Sequence, residues 1–485
     1  MARANKADRL EPELRRLMGI LIIGTSAALL DTTVVNVAID SIKKSMDVPV
    51  STIQWVNTGY LLALGMVIPL SAWAVGRFGA KRMWLFSLAA FLLGSVLSGA
   101  AWNIDSLITF RVLQGVGGGL LVPIMQTLLV QAAGAQRIGR VMAVVGMPAM
   151  VVPILGPFVG GLILSNLSWR WIFYINVPIC LIAMVLAWRG LPDSTARAGK
   201  PLDVRGLLLL SPALAALLFG LSQVGAHGFG QVQVVGPLVI GTALLAVFVG
   251  HALRTAGPVV DVRLFAIRSF TGSGILLFVS GLSLYGVLML LPLYYQQVGE
   301  YSALVTGLLL VPQGIGGLLT RGAAGRLTDR VGPRPVVVAG MLLTAVGTLP
   351  YALGQAHPNN LLLGVCLVVR GAGLGAATVS VMAAAFQGMQ PALIPHASSA
   401  TRILQQVGGS FGTALLAVVL QSQLAHHPDD TAGRAAAFGA TFLWTIGFAL
   451  LSLGPVLLLP RRPWRKAAAD APVEPTAAVG APGAK

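Results

Sequence analysis

Long apolar runs separated by short connections constrain this sequence more than any other feature. Of the 485 residues, 56% are hydrophobic and only 10% are charged. A helix needs about 20 apolar residues to cross a bilayer, and its backbone must satisfy its hydrogen bonds within the segment. The runs are too long and too continuous for barrel strands. We therefore predict fourteen spanning helices, at residues 17–42, 54–75, 82–101, 104–132, 139–164, 171–189, 205–223, 234–253, 270–297, 303–323, 334–353, 360–386, 396–424 and 436–460.

The distribution of Lys and Arg predicts the orientation of these helices. Every second connection, beginning with the N-terminus, is rich in basic residues, whereas the alternate ones hold few, chiefly Lys43, Lys44, Arg170 and Arg434. Because basic residues are enriched on the cytoplasmic side, both termini are predicted to be cytoplasmic and the number of spans even. This topology also explains the formal net charge of +17, and no basic arm or aromatic-interleaved motif points to nucleic acid.

The connections divide the chain into units. The most polar internal connection, with Pro192, Asp193, Gly199 and Pro201, follows the sixth span, and the C-terminal tail is rich in Ala and Pro. We predict a cytoplasmic N-terminus (1–16), an N-terminal six-helix bundle (17–189), a cytoplasmic linker (190–204), two inserted helices (205–253), a cytoplasmic connection (254–269), a C-terminal six-helix bundle (270–460) and a disordered cytoplasmic tail (461–485).

An internal repeat relates the two six-helix units. The turn after the second span, SAWAVGRFGAKR, aligns with RGAAGRLTDRVGPRP after the tenth span when Gly79 is matched to Gly332. LQGVGGG in the fourth span likewise aligns with VRGAGLG in the twelfth, Gly115 against Gly371. Such repeats are typical of secondary transporters, whose substrate site lies at the repeat interface near mid-membrane.

One carboxylate, that of Asp31, lies well inside an apolar run. Every other Asp or Glu falls in a terminus, in a connection or near a helix end. A charged side chain at mid-membrane costs roughly 2.5 to 3.5 kcal/mol, so such residues usually face a bundle interior or a water-filled cavity. Asp31 is therefore the only deep carboxylate available to carry a proton. The alternatives are a simple hydrogen bond to a neighbouring helix, or a position closer to the interface.

Arg111 of the fourth span is the predicted partner of Asp31. At a rise of about 1.5 Å per residue, Asp31 lies about 21 Å from a cytoplasmic start near residue 17, hence about 9 Å below the outer edge of a core about 30 Å thick. Arg111, which enters from outside near residue 104, lies about 10 Å below the same edge. The two side chains can therefore share a level, although Arg111 could instead snorkel outward or bond carbonyl groups.

Seven stretches follow one another in the sequence: LLDTTVVNVAI (29–39), IQWVNTGYLLA (53–63), RVLQGVGGG (111–119), GMPAMVVPILGPFVGG (146–161), WRWIFYINVPI (169–179), LYYQQVGEYSALVTGLLLVP (293–312) and GRLTDRVGPR (325–334). Together they resemble the major facilitator superfamily, and specifically its fourteen-helix drug/proton antiporter branch. The resemblance implies an all-α membrane protein of two six-helix bundles plus two inserted helices. It also implies that Asp31 takes the proton and that Arg111 helps proton translocation.

The stretch 146–161 places several glycines and prolines in one helix. Small residues let helices approach closely, and prolines bend the helix axis. By resemblance this is the antiporter motif, whose implied role is to seal the path during exchange, and ordinary tight packing is the alternative. Its candidate residues are Gly146, Pro153, Gly156, Pro157 and Gly160.

The stretch 325–334 places Asp329 just ahead of the eleventh span. A carboxylate there can cap the N–H groups of the following helix and meet Arg330 or Arg334. The resemblance implies a cytoplasmic gate that opens and closes with alternating access, and a plain topology signal is the alternative. In the first unit Gly76 replaces the acid, so gating is assigned chiefly to Asp329. The predicted gate residues are Asp329, Arg330, Gly325, Arg334 and Arg77.

Polar and aromatic residues inside the spans are candidates for substrate contact, although each could equally serve helix packing or an interhelical hydrogen bond. They are Asn36, Trp55, Tyr60, Gln126, Tyr285, Gln296, Gln313, Arg370, Arg402, Gln405 and Gln406. Arg370 and Arg402 add positive charge without matching acids, which would favour substrates with anionic or acceptor groups. Arg402 could instead lie near a cytoplasmic helix end. The aromatic residues of stretch 169–179 are interpreted as an interfacial belt.

These features together predict a bacterial inner-membrane exporter of amphipathic drugs or antibiotics that works as a monomer by proton antiport. Cationic or polar drug arriving from the cytoplasm would release the proton from Asp31, one proton per turnover. A dedicated exporter of one endogenous metabolite or lipid is the alternative. An enzyme or receptor is disfavoured, because the sequence shows no Ser/His/Asp, metal or phosphate-binding constellation and no soluble domain. Cys180 and Cys366 lie in apolar runs, and no cofactor is expected.

Overall fold

The computed structural model describes residues 12–133, 138–145, 156, 159–192, 201–354, 359–427 and 430–461, and all regular secondary structure in these ranges is helical. Residues 159–166 are also helical. The helices before the polar linker are α1 (Pro12–Met46), α2 (Val50–Ile53), α3 (Trp55–Val67), α4 (Leu70–Phe78), α5 (Ala80–Gly99), α6 (Ile104–Ala133), α7 (Ile138–Val145), α8 (Trp171–Tyr174) and α9 (Asn176–Gly190).

The helices after the linker comprise an inserted pair and a second bundle. Short 3-10 turns follow the pair at Val262–Ala266 and close the described chain at Pro455–Leu458. The helices are α10 (Val204–His227), α11 (Val232–Arg254), α12 (Arg268–Gln297), α13 (Ala303–Val331), α14 (Pro333–Ala352), α15 (Asn360–Phe386), α16 (Ile394–His426) and α17 (Thr431–Leu451).

Eleven helices among the described residues are long and apolar enough to cross a membrane. The count becomes twelve if α3 and α4, which are bent by 56° relative to each other, form one broken span. Pro69 lies at this break, where a missing backbone N–H permits a bend. The tenth predicted span lies within the 29-residue α13, and the fifth lies partly outside the described ranges. The number fourteen therefore stays a prediction.

The aligned glycines of the repeat occupy matching positions in the two bundles. Gly79 joins α4 to α5 with φ 83°, and Gly332 joins α13 to α14 with φ 93°. Glycine favours this left-handed region because it has no Cβ. A Cβ on Gly115 of α6 would lie 2.5 Å from the Tyr60 carbonyl oxygen, and one on Gly371 of α15 would lie 1.9 Å from that of Gln313. Each glycine therefore lets two helices of its own bundle touch.

The two bundles share a core at one end and have separate cores at the other. Near the end of α1 that carries Asn36, one apolar cluster joins Val34 to Phe173, and another joins Leu290 to Phe438. Towards the other end, where α13 ends, a single large cluster contains residues of both bundles. We call these the Asn36 end and the Asp329 end. The bundles are thus packed together at the Asp329 end.

The inserted pair contacts both bundles. Ser211 of α10 donates to the Met66 carbonyl oxygen of α3 over 2.6 Å, and Phe219 of α10 stacks on Trp55 with ring centroids 5.6 Å apart. On the other side, Leu221 of α10 and Ala414 of α16 belong to one apolar cluster. Helix α10 therefore bridges α3 and α16 through one hydrogen bond and apolar packing.

Asp203 fastens the start of the inserted pair. Its carboxylate accepts from the Gly206 N–H (2.9 Å) and the Val259 N–H (3.3 Å), and it lies 2.8 Å from His251 Nε2 of α11. Burial raises the pKa of Asp203, but these hydrogen bonds outweigh burial and hold the pKa below its ordinary value of 3.8. The contact ties both inserted helices to the connection that leads into the second bundle.

Candidate functional site: a buried ion pair beside a central cavity

The N-terminal bundle holds a buried ion pair between Asp31 of α1 and Arg111 of α6. Arg111 Nη1 lies 2.5 Å from Asp31 Oδ2, and both side chains are 0% exposed. Arg111 Nε also donates to the Val56 carbonyl oxygen over 3.2 Å. The structure therefore brings together the two residues that the depth arithmetic puts at one level.

Two amides complete the surroundings of the Asp31 carboxylate. Gln114 Nε2 and Asn176 Nδ2 donate to Asp31 Oδ1 over 2.9 and 3.0 Å. Both amides also donate to Ser95 Oγ, over 3.2 and 3.0 Å. A buried carboxylate needs such donors because it has lost its hydration. Three side chains therefore hold the acid: Arg111 and Gln114 of α6, and Asn176 of α9.

Sequence reasoning missed Gln114, Asn176 and Ser95. Gln114 lies three residues after Arg111, so both side chains share one face of α6, and this spacing was an available signal. Asn176 lies within the stretch interpreted as an aromatic belt. Ser95 is one small polar residue in an apolar helix, and nothing in the sequence distinguishes it.

Tyr60 of α3 separates the ion pair from the central cavity. Its ring centroid lies 4.1 Å from Arg111 Cζ, and the same residue lines the cavity. Arg111 Nη2 has no hydrogen-bond acceptor within the described parts of the chain. The face of the Tyr60 ring attracts the guanidinium in place of an acceptor. A molecule in the cavity would therefore touch Tyr60 before it could reach Asp31.

The cavity lies between the two bundles and has a volume of about 560 Å³, within the range of small-molecule sites. Helices α1, α3 and α6 face α12, α13, α15 and α16 across it. Much of its wall is apolar. Six predicted substrate residues line it, namely Asn36, Tyr60, Tyr285, Gln313, Arg402 and Gln406, together with Thr32, Thr33 and Asn57, which that prediction left out.

The other five predicted substrate residues do not line the cavity. Trp55 stacks on Phe219 instead. Gln126 is buried, and Gln296 is exposed at the end of α12. Gln405 Oε1 lies 3.5 Å from Arg402 Nη1. Arg370 is 1% exposed, and its Nη1 donates to Gln313 Oε1 over 2.8 Å, so it lies one layer behind the wall.

Asp329 joins the two bundles at the Asp329 end. Its Oδ1 accepts from the Gly139 N–H of α7 over 3.1 Å, and its Oδ2 lies 3.6 Å from Arg140 Nε. A Cβ on Gly325 would lie 2.7 Å from the Gly139 carbonyl oxygen, so the two backbones cross closely. Nearby, Ser71 and Ser399 bond through their hydroxyl groups over 2.7 Å.

These contacts correct the predicted surroundings of Asp329. The sequence suggested that Asp329 caps the helix that follows it and meets Arg330 or Arg334, but its carboxylate bonds the first turn of α7 and faces Arg140. The sequence alone does not show which helix of the other bundle lies opposite. Burial raises the pKa of Asp329, which lies beyond the predicted span 303–323, to about 6, although the Gly139 N–H and Arg140 oppose the rise. Arg77 is exposed.

The predicted antiporter motif is only partly described. Gly146, Pro153 and Pro157 lie outside the described residues. A Cβ on Gly156 would lie 2.1 Å from Thr33 Oγ1, and one on Gly160 would lie 3.2 Å from Val37 Cβ. Both glycines therefore pack against α1, just beyond Asp31. Within the described ranges, no group of three or more His, Cys, Asp or Glu could hold a metal ion.

The two bundles consist of long apolar helices and enclose a central cavity between them. This arrangement defines a multi-pass membrane protein with the architecture of a transporter. A family model described as the Major Facilitator Superfamily matches residues 21–413, and the chain belongs to that family of transporters.

Known proteins similar to this chain agree with that family. The "Multidrug resistance protein B homolog" of Mycobacterium tuberculosis (strain H37Rv) is 40% identical over 446 residues, which cover 89% of this chain and 83% of that protein. The "Multidrug export protein EmrB" of Haemophilus influenzae is 30% identical over 411 residues, 84% of this chain and 80% of that protein. A solved structure of the proton:xylose symporter XylE has a TM-score of 0.63 and is 14% identical, and the match covers 94% of this chain and 98% of that chain. At this identity the likeness shows the fold alone.

The buried pair predicts an interaction between two substitutions. Arg111→Gln leaves the Asp31 charge buried without its cation, so we expect a loss of about 3 to 5 kcal/mol of stability. Asp31→Asn with Arg111→Gln removes both charges and should recover most of that loss. The measurement is thermal melting of purified protein, with exposed Arg254→Gln as the control. A double variant as unstable as Arg111→Gln would contradict the coupling.

Proposed function

We propose that the chain is a proton-coupled antiporter that exports amphipathic drugs or antibiotics by alternating access. The relatives named for multidrug resistance and multidrug export support the drug part of the proposal. The proton part rests on one observation: Asp31, 1% exposed, is the single acid that is buried among those whose burial the structure describes. An ionisable residue inside a membrane bundle is by default a functional one.

The proposed orientation in the membrane decides which side the cavity opens to. The Lys and Arg distribution favours cytoplasmic termini, in the inner membrane of a bacterium. The Asp329 end is then cytoplasmic, and the cavity reaches the outer surface near Asn36, Val37 and Leu61, which are exposed. In this orientation the arrangement corresponds to an outward-facing state. Substrate would leave, and a proton would enter, from the Asn36 end.

The coupling follows from the chemistry of the ion pair. A proton on Asp31 removes the charge that holds the Arg111 guanidinium, and an unpaired buried cation is costly. The network of Arg111, Gln114 and Tyr60 would then have to rearrange. Because Tyr60 lines the cavity, this change reaches the substrate site and links proton binding to opening of the other end. One deep acid implies one proton per turnover.

Alternating access requires the two bundles, proposed as residues 17–189 and 270–460, to part at the Asp329 end. Asp329 must then leave Gly139 and Arg140, so these contacts would serve as the cytoplasmic gate. The inserted helices, residues 205–253, would stay at the periphery. Gly156 and Gly160, which pack on α1 beside the ion pair, are the described part of the proposed antiporter motif and would keep that side sealed.

Asp31→Asn tests the proton part. Because a carboxamide does not titrate, it cannot bind and release the coupling proton, so we expect export to fall at least tenfold while the protein still inserts in the membrane. The measurement is accumulation of ethidium, chloramphenicol and nalidixate, one cationic, one neutral and one anionic compound, in cells that express each variant. Asp105→Asn, at an exposed acid of α6, is the control. Uphill export by Asp31→Asn under an imposed pH gradient would overturn the proposal.

The raised pKa of Asp329 predicts that opening and closing of the gate depend on pH. In the closed arrangement its pKa is about 6, above the ordinary 3.8, so the closed arrangement binds a proton more tightly than one in which Asp329 meets water. Lowering the pH from 7.5 to 5 should therefore favour closure by about tenfold. Asp329→Asn should stay closed and lose this dependence.

The gate can be followed with spin labels on exposed residues of the two bundles at the Asp329 end, Gly76→Cys and Ala392→Cys, after the native cysteines are replaced. We expect the longer inter-label distance to become less populated as the pH falls. A distance distribution that ignores pH in the wild-type background, or that shifts equally in Asp329→Asn, would contradict this role.

A further inference from the structure

Two cations on the C-terminal side of the cavity have no carboxylate partner. Arg402 of α16 lines the cavity and is half-buried, and its one described hydrogen bond is the long one to Gln405. Arg370 of α15 is 1% exposed, and its Nε has no acceptor within the described chain. Among the described acids, none lies within 4.0 Å of either guanidinium. A buried cation without a counter-charge is costly and calls for an explanation.

The charge balance around the cavity is therefore positive. Arg111 is neutralised by Asp31, whereas Arg370 and Arg402 are not neutralised by any described acid. The described residues of the cavity wall include no Asp or Glu. In a site with low dielectric constant, this excess of charge attracts an anion and opposes a cation.

The hydrogen-bonding groups of this wall point to the same kind of ligand. Arg370 has only hydrogen-bond donors, so Gln313 Oε1 accepts from it. The N–H groups of the Gln313 amide are then left as donors to a ligand. Gln313 and Gln406 line the cavity together with Arg402. Arginine beside amide donors matches the acceptor geometry of a carboxylate. The apolar part of a ligand would lie against leucines of both bundles, such as Leu64 and Leu288.

We propose that Arg402 and Gln313, backed by Arg370, form a subsite for an organic oxyanion, so that the preferred substrates are amphipaths with an apolar body and a single carboxylate. This inference rests on the proposed export function, whose default expectation of cationic or polar drugs it replaces. Arg402 is the direct contact, and Arg370 acts by positioning Gln313 and by its charge.

The test compares three probes with one naphthalene body, which differ only in charge: 1-naphthoate, 1-naphthamide and 1-naphthylmethylammonium. Binding to the purified full-length protein is measured by calorimetry. We expect 1-naphthoate to bind at least tenfold more tightly than 1-naphthamide, and the ammonium to bind most weakly. Arg402→Gln should reduce the carboxylate preference to less than threefold with the carboxamide affinity unchanged, and Arg402→Lys should keep most of the preference. Exposed Arg254→Gln is the control.

Each result decides the proposal. An ammonium probe that binds wild type as tightly as the carboxylate, no binding of the carboxylate, or an unchanged preference in Arg402→Gln would overturn it. If Arg402→Gln also loses the carboxamide, Arg402→Lys decides, because restored preference supports the subsite and equal loss contradicts it. Asp31→Asn should keep the carboxylate preference, so a failure of proton coupling appears in the accumulation assay and not in this one.

Discussion

The pairing of Asp31 with Arg111 is the interaction on which the rest of this structure depends. A carboxylate and a guanidinium 2.5 Å apart, both 0% exposed, must offset the loss of hydration with direct hydrogen bonds. Gln114 of α6 and Asn176 of α9 donate hydrogen bonds to the carboxylate, and the Tyr60 ring of α3 faces the guanidinium. The pair therefore fixes how α1, α3, α6 and α9 meet. A change in its charge would be felt by all four helices.

The pair is also placed where it can affect the cavity. Tyr60 touches Arg111 on one side and lines the cavity on the other, so one side chain connects the charge and the substrate space. At the far end, Asp329 and the crossing of Gly139 and Gly325 hold the bundles together. The structure thus contains a closed end, a central cavity and a buried acid beside that cavity. These are the parts that an alternating-access transporter needs.

Part of this arrangement could be predicted from the sequence. Helix rise and bilayer thickness supported the match of Asp31 with Arg111, and the aligned glycines Gly79 and Gly332 predicted two similar turns, which the backbone has. The amide of Asn176 and the contact of Asp329 with Gly139 could not be predicted. These contacts depend on which helices are neighbours and on how each helix is rotated about its axis. Neither the apolar periodicity nor the distribution of charges in the sequence determines those two properties.

The infrared spectrum of the purified protein as the pH is lowered tests whether Asp31 is the group that takes up the proton, because a carboxyl group that is protonated gains a C=O stretching band. We expect such a band from a group screened from solvent in wild type and in Asp105→Asn, and we expect its loss in Asp31→Asn. The band of Asp329 would remain in all three proteins. If Asp31→Asn shows the same bands as wild type, Asp31 does not take up a proton over this pH range. That result would contradict its role as the proton carrier.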